Sequence, residues 1–108
     1  MVSVIITKQG ADIKQVSLDG HAGDAEAGQN IVCAAVSVLA INTFNSIERF
    51  TDDAFTVDAA EDGGHLLMAF PEQLSDKSKL LLDSLLLGLD EIQKQYGDEY
   101  ISLTYKEV

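Results

Sequence analysis

The sequence predicts an α+β fold: one domain over residues 1–108, with a mixed or antiparallel sheet of about five strands and two helices in the order ββαββαβ. Three observations predict it. The 108 residues are enough for about one domain. Their hydrophobic fraction of 46% is enough for a core. Short runs of alternating apolar residues are separated by two long segments with helical spacing. One sheet with two helices is the simplest layered arrangement of these elements.

The first two elements are predicted to be strands that pair as a hairpin. Residues 2–7 are rich in β-branched side chains, residues 8–12 contain turn-forming types, and residues 13–18 alternate loosely. From residue 19 to 30 the pattern changes to that of a loop, because glycine is frequent and supplies permissive backbone positions. The glycines of this predicted loop are Gly20, Gly23 and Gly28.

A first helix is predicted from about residue 30 to 47, with Asn30 as its N-cap. Apolar residues cover most of its circumference, and no charged residue occurs from 27 to 47. Because a helix that is apolar on all sides is buried, we expect this one at the centre of the fold or at a subunit interface. Its most apolar run, residues 31–41, is too short to span a bilayer, which needs about 20 residues.

The second half of the chain begins with another predicted hairpin. Residues 55–59 alternate between apolar and polar types, residues 61–64 carry a turn signal, and residues 65–70 form the next predicted strand. His65 therefore stands at the start of a strand, where we expect it to be exposed and without a catalytic role.

A second helix is predicted to follow, with Ser75 as N-cap, an end near Tyr96 and closure by Gly97. Residues 100–106 alternate again and form the fifth strand. Both helices are more apolar than one sheet face requires. This excess favours a homodimer, although a thick core is the alternative explanation.

The charge balance limits the partners. Seven Lys and Arg against 18 Asp and Glu give a net charge of −11, which argues against general nucleic-acid binding and against an anionic membrane surface. The partner is expected to be basic or neutral. The single cysteine forms no intramolecular disulfide, and no basic segment followed by an apolar one opens the sequence. Both features predict a reduced, cytoplasmic protein.

Two residues suggest chemistry: His21, at the start of the glycine-rich loop, and Cys33, in the first turn of the predicted helix. A helix N-terminus presents unpaired N–H groups and a partial positive charge, which stabilise a thiolate. An imidazole nearby accepts the thiol proton, and the same N–H groups are suited to an oxyanion. Such a pair performs acyl transfer, which is hydrolysis when water is the acceptor. The alternative is a small core cysteine and an ordinary loop histidine.

A longer motif surrounds these two residues. It consists of Gly20-His21-Ala22-Gly23, then Gly28, then Ile31-Val32-Cys33-Ala34-Ala35-Val36-Ser37. This motif resembles that of the ribosomal-processing cysteine proteases, the Prp family, and chain length and element order agree along nearly all 108 residues. The resemblance implies a bacterial, cytoplasmic, homodimeric endopeptidase. Its substrate would be large-subunit ribosomal protein twenty-seven, from which it would remove a short N-terminal extension by cutting after a pair of aromatic residues.

The resemblance also implies roles for single residues. Cys33 would be the nucleophile, and His21 the general base and then the general acid. No metal or other cofactor is expected, and His21 with Cys33 provides too few ligands for a closed zinc site. Many family members carry Asp where Asn30 stands, which puts a binding role for that position in doubt. The residues expected to bind substrate or to form the loop are Gly20, Gly23, Gly28, Asn30 and Ser37.

Two readings from other functional classes stay open at this point. One is a non-catalytic ribosome-assembly or peptide-binding module that uses the same groove, although a pure binder needs neither His21 nor Cys33. The other is a thiol redox sensor, which would lack a resolving cysteine. The resemblance implies a basic ribosomal protein as partner, which a net charge of −11 would attract over about 8–10 Å. The alternative explanation of the acidity is that it keeps a small protein soluble.

Overall fold

The computed structural model describes residues 1–20, 27–60 and 64–108. Within these described residues, seven elements follow one another in the predicted order ββαββαβ. They are β1 (Val2–Gln9), β2 (Asp12–Asp19), α1 (Ala27–Phe50), β3 (Thr56–Ala59), β4 (His65–Ala69), α2 (Asp76–Tyr96) and β5 (Ile101–Glu107).

The five strands form one mixed sheet in the order β3-β4-β2-β1-β5. Three of the four pairings are antiparallel, and only β1 and β5 run parallel. The β1–β2 hairpin turns at Gly10, which has a φ of 62°. The predicted mixed sheet with two helices is therefore confirmed. Its edge strands are β3 and β5.

One face of the sheet is buried against the helices. Along β1, Val2, Val4 and Ile6 are at most 4% exposed, and their cross-strand neighbours Val16 and Leu18 are buried as well. The alternate residues of the strands lie on the opposite face, which no described helix covers. In the helix layer, α2 contacts β5 and β2, and α1 packs against α2.

The first helix begins three residues earlier than the sequence pattern predicts, at Ala27, and ends at Phe50. The assignment of Asn30 as N-cap is therefore wrong, because Asn30 lies inside the helix. Gly28 likewise belongs to the helix and not to the preceding loop. Glycine costs only about 1 kcal/mol in a helix interior, and packing of the helix's apolar face outweighs such a preference.

Within this chain α1 is not at the centre of the fold. Val32, Val36 and Ala40 are at most 2% exposed and pack into the core. On the outward face, Val38 is 65% exposed and Ile41 45%. The expectation of a central helix is therefore wrong for a single chain. The subunit interface remains as the alternative.

By length and composition alone, the segment Ile31–Phe50 of α1 is long and apolar enough to cross a membrane. The prediction that this helix is too short to span a bilayer considered only residues 31–41, and the apolar segment is longer than that run. The inward face of the segment belongs to the core that packs on the sheet. Packing in the core explains the apolar residues of this inward face, and the apolar residues of the outward face remain exposed.

The second helix has the predicted ends. Ser75 caps its N-terminus by accepting from the backbone N–H of Ser78, and Gly97, with a φ of 96°, caps its C-terminus. On its inward face, Leu82, Leu85 and Leu89 are buried in the core. The two helices lie side by side.

A polar cluster joins the start of α2 to the end of α1. One carboxylate oxygen of Asp53 accepts from the backbone N–H of Ser75 at 3.1 Å, from the Ser75 hydroxyl at 2.6 Å, and from the hydroxyl of the fully buried Ser78. The Asp53 N–H in turn donates to the Thr51 hydroxyl, which donates to the carbonyl of Ile47 in α1. The segment between α1 and β3 is thereby fixed to the first turn of α2.

Candidate active site

Cys33 is the only cysteine of the chain and lies on the inward side of α1. Its side chain is part of the hydrophobic core and is 9% exposed. The thiol is therefore largely covered.

The helix places Cys33 further from its start than the sequence suggests. Cys33 is the seventh residue of α1 and lies about 9 Å of helix rise beyond Ala27. The expected first-turn position is therefore wrong: Cys33 is in the second turn. The dipole effect falls off within the first turn, and only the first four N–H groups lack partners within the helix. The helix terminus thus contributes less to stabilising a thiolate than the sequence argument assumed.

The other predicted site residues divide into three groups. His21 and Gly23 lie outside the described residues. Gly28 and Asn30 are part of the helical backbone of α1. Ser37 follows Cys33 by four residues on the same helix and is exposed.

Gly20 is the last described residue before His21, and the structure holds it firmly. Its backbone N–H donates to the carbonyl of Gly64 at 3.0 Å. Its φ of 116° suits glycine alone, and a Cβ at this position would collide with the carbonyl oxygen of Met1. The chain therefore leaves β2 from a defined backbone position, fixed between the N-terminus and the start of β4.

A histidine–carboxylate pair stands directly beside Gly20. His65 Nδ1 lies 2.5 Å from Asp19 Oδ1, and the Ser17 hydroxyl donates to the other carboxylate oxygen at 3.2 Å. The hydrogen bond with His65 is the main reason why the pKa of Asp19 is lowered from its usual value; the charge of His65 and the Ser17 hydroxyl act in the same direction, against partial desolvation. Asp19 and His65 are cross-strand neighbours.

Sequence reasoning missed this pair because the register of β2 against β4 is not visible in the sequence. The register also shows which way His65 points. Leu18 and Leu66 pair on the side that the helices cover. The next residues, Asp19 and His65, therefore project to the opposite face of the sheet. His65 thus lies on the face away from α1, as a surface residue paired with a carboxylate.

A family model described as cysteine protease Prp matches residues 1–102. The chain belongs to the Prp family of cysteine proteases.

Three relatives illustrate the match. The ribosomal processing cysteine protease Prp of Staphylococcus aureus is 32% identical over 107 residues, which cover 98% of this chain and all of the relative. The protein of the same name from Bacillus subtilis is 32% identical over 90 residues, 80% of each chain. A crystal structure of the S. aureus protease with a substrate peptide superposes with a TM-score of 0.90 at 31% identity, and covers 98% of this chain and all of that one. These findings favour the protease over a non-catalytic binding module.

Membership of this family makes the single thiol of the chain a candidate nucleophile. A cysteine protease needs a cysteine nucleophile, and Cys33 is the only cysteine in the sequence. Among residues 1–20, 27–60 and 64–108, no three His, Cys, Asp or Glu side chains are grouped so that they could hold a metal ion.

Proposed function

We propose that this chain is a cytoplasmic endopeptidase that processes a ribosomal protein, with Cys33 as nucleophile and His21 as general base and acid. One observation supports this proposal most strongly. The chain belongs to a cysteine protease family and has one cysteine, Cys33, which lies on α1, the helix that follows His21 in the sequence. The chain has only two histidines. His65 is paired with Asp19 on the sheet face away from α1, which leaves His21 as the candidate base.

The reaction follows the usual two steps of acyl transfer through a thioester. His21 takes the thiol proton of Cys33, and the sulfur attacks the carbonyl carbon of the scissile peptide bond. The carbon–nitrogen bond then breaks as His21 returns the proton to the leaving amine. In the second step a water molecule gives a proton to His21 and attacks the thioester carbonyl. The carboxyl product leaves, and the thiol regains its proton.

The proposed substrate is a basic ribosomal protein with an N-terminal extension. Relatives of this chain are named ribosomal processing proteases, and one of them has been crystallised with a substrate peptide. The net charge of −11 complements a basic substrate. Following the family resemblance, we propose large-subunit ribosomal protein twenty-seven as the target, with residues 1–108 acting as one domain.

We further propose that the active form is a homodimer that pairs through the outward face of α1. Ile31, Val38 and Ile41 are 45–65% exposed on this face. No charged residue occurs in the sequence from 27 to 47. Two copies of such a face bury apolar surface without leaving a charge unpaired, which suits a twofold interface.

A peptide that spans the junction between the extension and the mature ribosomal protein tests the proposed chemistry. We expect wild type to cut it once, Cys33→Ala to cut it at the background rate, and His21→Ala to be slower by roughly 10²–10⁴-fold. Ser84→Ala, an exposed change on α2, is the control and should cut normally. Products are identified by mass spectrometry.

Cleavage by Cys33→Ala at the wild-type rate would refute the nucleophile, and an unchanged rate in His21→Ala would refute the base. Tight binding without cleavage by the wild-type protein would instead indicate a peptide-binding module.

A further inference from the structure

The strand β3 has a free outer edge. It pairs with β4 on one side, and no described strand pairs with its other side. All four of its residues are exposed. It has no lysine, proline or bulge, and its protection against pairing is limited to its length of four residues and the charge of Asp58.

The hydrogen-bond pattern shows which backbone groups of β3 are available. The N–H of Ala60 donates to the carbonyl of His65 at 2.9 Å. Because hydrogen-bonded and non-hydrogen-bonded pairs alternate along antiparallel strands, Asp58 and Thr56 also direct their backbone groups toward β4. The N–H and C=O groups of Val57 and Ala59 therefore point outward. These outward groups are two residues apart, which is the spacing at which a neighbouring strand forms its hydrogen bonds.

The free edge ends at the same end of the sheet as β2, the strand that precedes α1 in the sequence. Since β4 is antiparallel to both β2 and β3, these two strands run in the same direction and finish at the same end. The chain that leaves β2 at this end leads into α1, and Cys33 lies in the second turn of that helix. The other edge strand, β5, lies on the far side of α2 from α1.

The charge around β3 indicates what kind of chain would pair with it. No Lys or Arg occurs between Arg49 and Lys77 in the sequence, and this stretch includes the exposed Asp52 and Asp58. On the opposite edge, β5 carries Lys106 next to Glu107, so its charge is balanced. A basic extended segment is thus favoured at β3 over β5.

We propose that the free edge of β3 binds an extended basic segment of the substrate as a sixth strand, through the backbone groups of Val57 and Ala59. This rests on the proposed function, because the occupant is the protease's own substrate. Backbone pairing supplies affinity that does not depend on the substrate's side chains. Recognition would thus combine an extended backbone with the acidic surroundings of the strand.

Amide hydrogen exchange tests the pairing directly. The full-length Cys33→Ala protein is measured by NMR with and without the substrate peptide at saturation. We expect exchange at Val57 and Ala59 to slow by at least tenfold on binding. The amides of Thr56 and Asp58, which already face β4, should change much less. Equal exchange at Val57 and Ala59 with and without bound peptide would overturn the proposal.

Proline substitution provides an independent test. Proline is tolerated on an edge strand where the N–H points away from the sheet, so Val57→Pro and Ala59→Pro should fold. Each removes one donor and should weaken peptide binding about tenfold, seen as a higher KM at similar kcat, as expected for a lost hydrogen bond worth about 1.4 kcal/mol. Val57→Ala, which keeps the N–H, is the matched control and should bind within about twofold of wild type.

The outcomes of these experiments distinguish a failure of the β3 edge proposal from a failure of the proposed protease function. If wild type neither binds nor cuts the peptide, the proposed function fails. If wild type cuts the peptide and both folded proline variants bind it normally, the edge proposal alone is wrong. If the proline variants change the oligomeric state in sedimentation and leave peptide affinity intact, the β3 edge contacts a second copy, and the proposal is likewise overturned.

Discussion

At the scale of single residues, Gly20 and Gly97 illustrate two different reasons why a position requires glycine. Both have a positive φ, 116° and 96° respectively. A Cβ on Gly97 would have nothing within 4 Å, whereas a Cβ on Gly20 would collide with the carbonyl oxygen of Met1. Gly97 is thus needed for its conformation alone. Gly20 is needed for its conformation and also for the close approach of two backbone segments next to His21.

Alanine substitutions at the two positions should differ accordingly. Gly97→Ala should cost about 1–3 kcal/mol of unfolding free energy, the usual cost of a strained φ. Gly20→Ala should cost more, because a backbone segment must also move. Urea denaturation measures both. An equal loss of unfolding free energy in the two variants would show that the Met1 backbone moves aside at no cost in stability and that Gly20 is not tightly held.

Local pattern predicted both ends of α2 correctly, because capping and glycine signals are local. Residue types and the family resemblance together singled out Cys33 and His21, and their catalytic roles remain predictions. The Asp19–His65 pair was not predicted, because it depends on how β2 aligns with β4 across 46 positions of sequence. His65 appeared to be an ordinary strand residue. The register determines that it faces a carboxylate and points away from α1.

At the scale of elements, Asp53 connects the end of α1 to the start of α2. The Ser75 and Ser78 hydroxyls that donate to it lower the pKa of Asp53 from its usual value of 3.8, mostly through Ser75. A carboxylate whose pKa is lower in the folded protein stabilises the fold above about pH 4. It loses this contribution as the pH falls through the lowered value.

Replacing this carboxylate should therefore alter the response to acid. Asp53→Asn should lower the free energy of unfolding near pH 6, and its stability should decrease less than that of wild type between pH 5 and pH 3. Urea denaturation across this range is the measurement. Asp83→Asn, on the exposed side of α2, controls for the loss of one negative charge. A variant with the wild-type acid response would exclude Asp53 as a contributor.

The elements themselves were largely predictable, because apolar periodicity and turn residues agreed along most of the chain. The start of α1 was not. Gly28 and Asn30 are typical of a loop and an N-cap, and local preference placed the boundary at residue 30. The helix nevertheless begins at Ala27. This difference of three residues matters for function, because it moves Cys33 from the first turn to the second.

At the scale of the whole molecule, the outward face of α1 is the largest feature that one chain does not explain. If a second copy covers it, Val38→Glu should produce monomers, because each dimer would bury two uncompensated carboxylates. Leu80→Glu makes the same change on the exposed face of α2 and is the control. Analytical ultracentrifugation distinguishes the results. A Val38→Glu protein that stays dimeric, or a wild type that is monomeric, would contradict the interface.

The proposed protease activity depends on Cys33, the single thiol of the chain. The burial of this thiol is the observation that is hardest to reconcile with its role as nucleophile. Cys33 is only 9% exposed, while iodoacetamide reacts with the thiolate of an accessible cysteine. Since the chain has one cysteine, each alkylation detected by mass spectrometry is at Cys33. The decisive measurement is the alkylation rate of the folded protein at pH 7 against that of the same protein unfolded in urea. The account predicts faster alkylation when folded, in parallel with loss of peptide cleavage. A folded protein that is alkylated more slowly than the unfolded chain, or that keeps cleaving once alkylated, would contradict it.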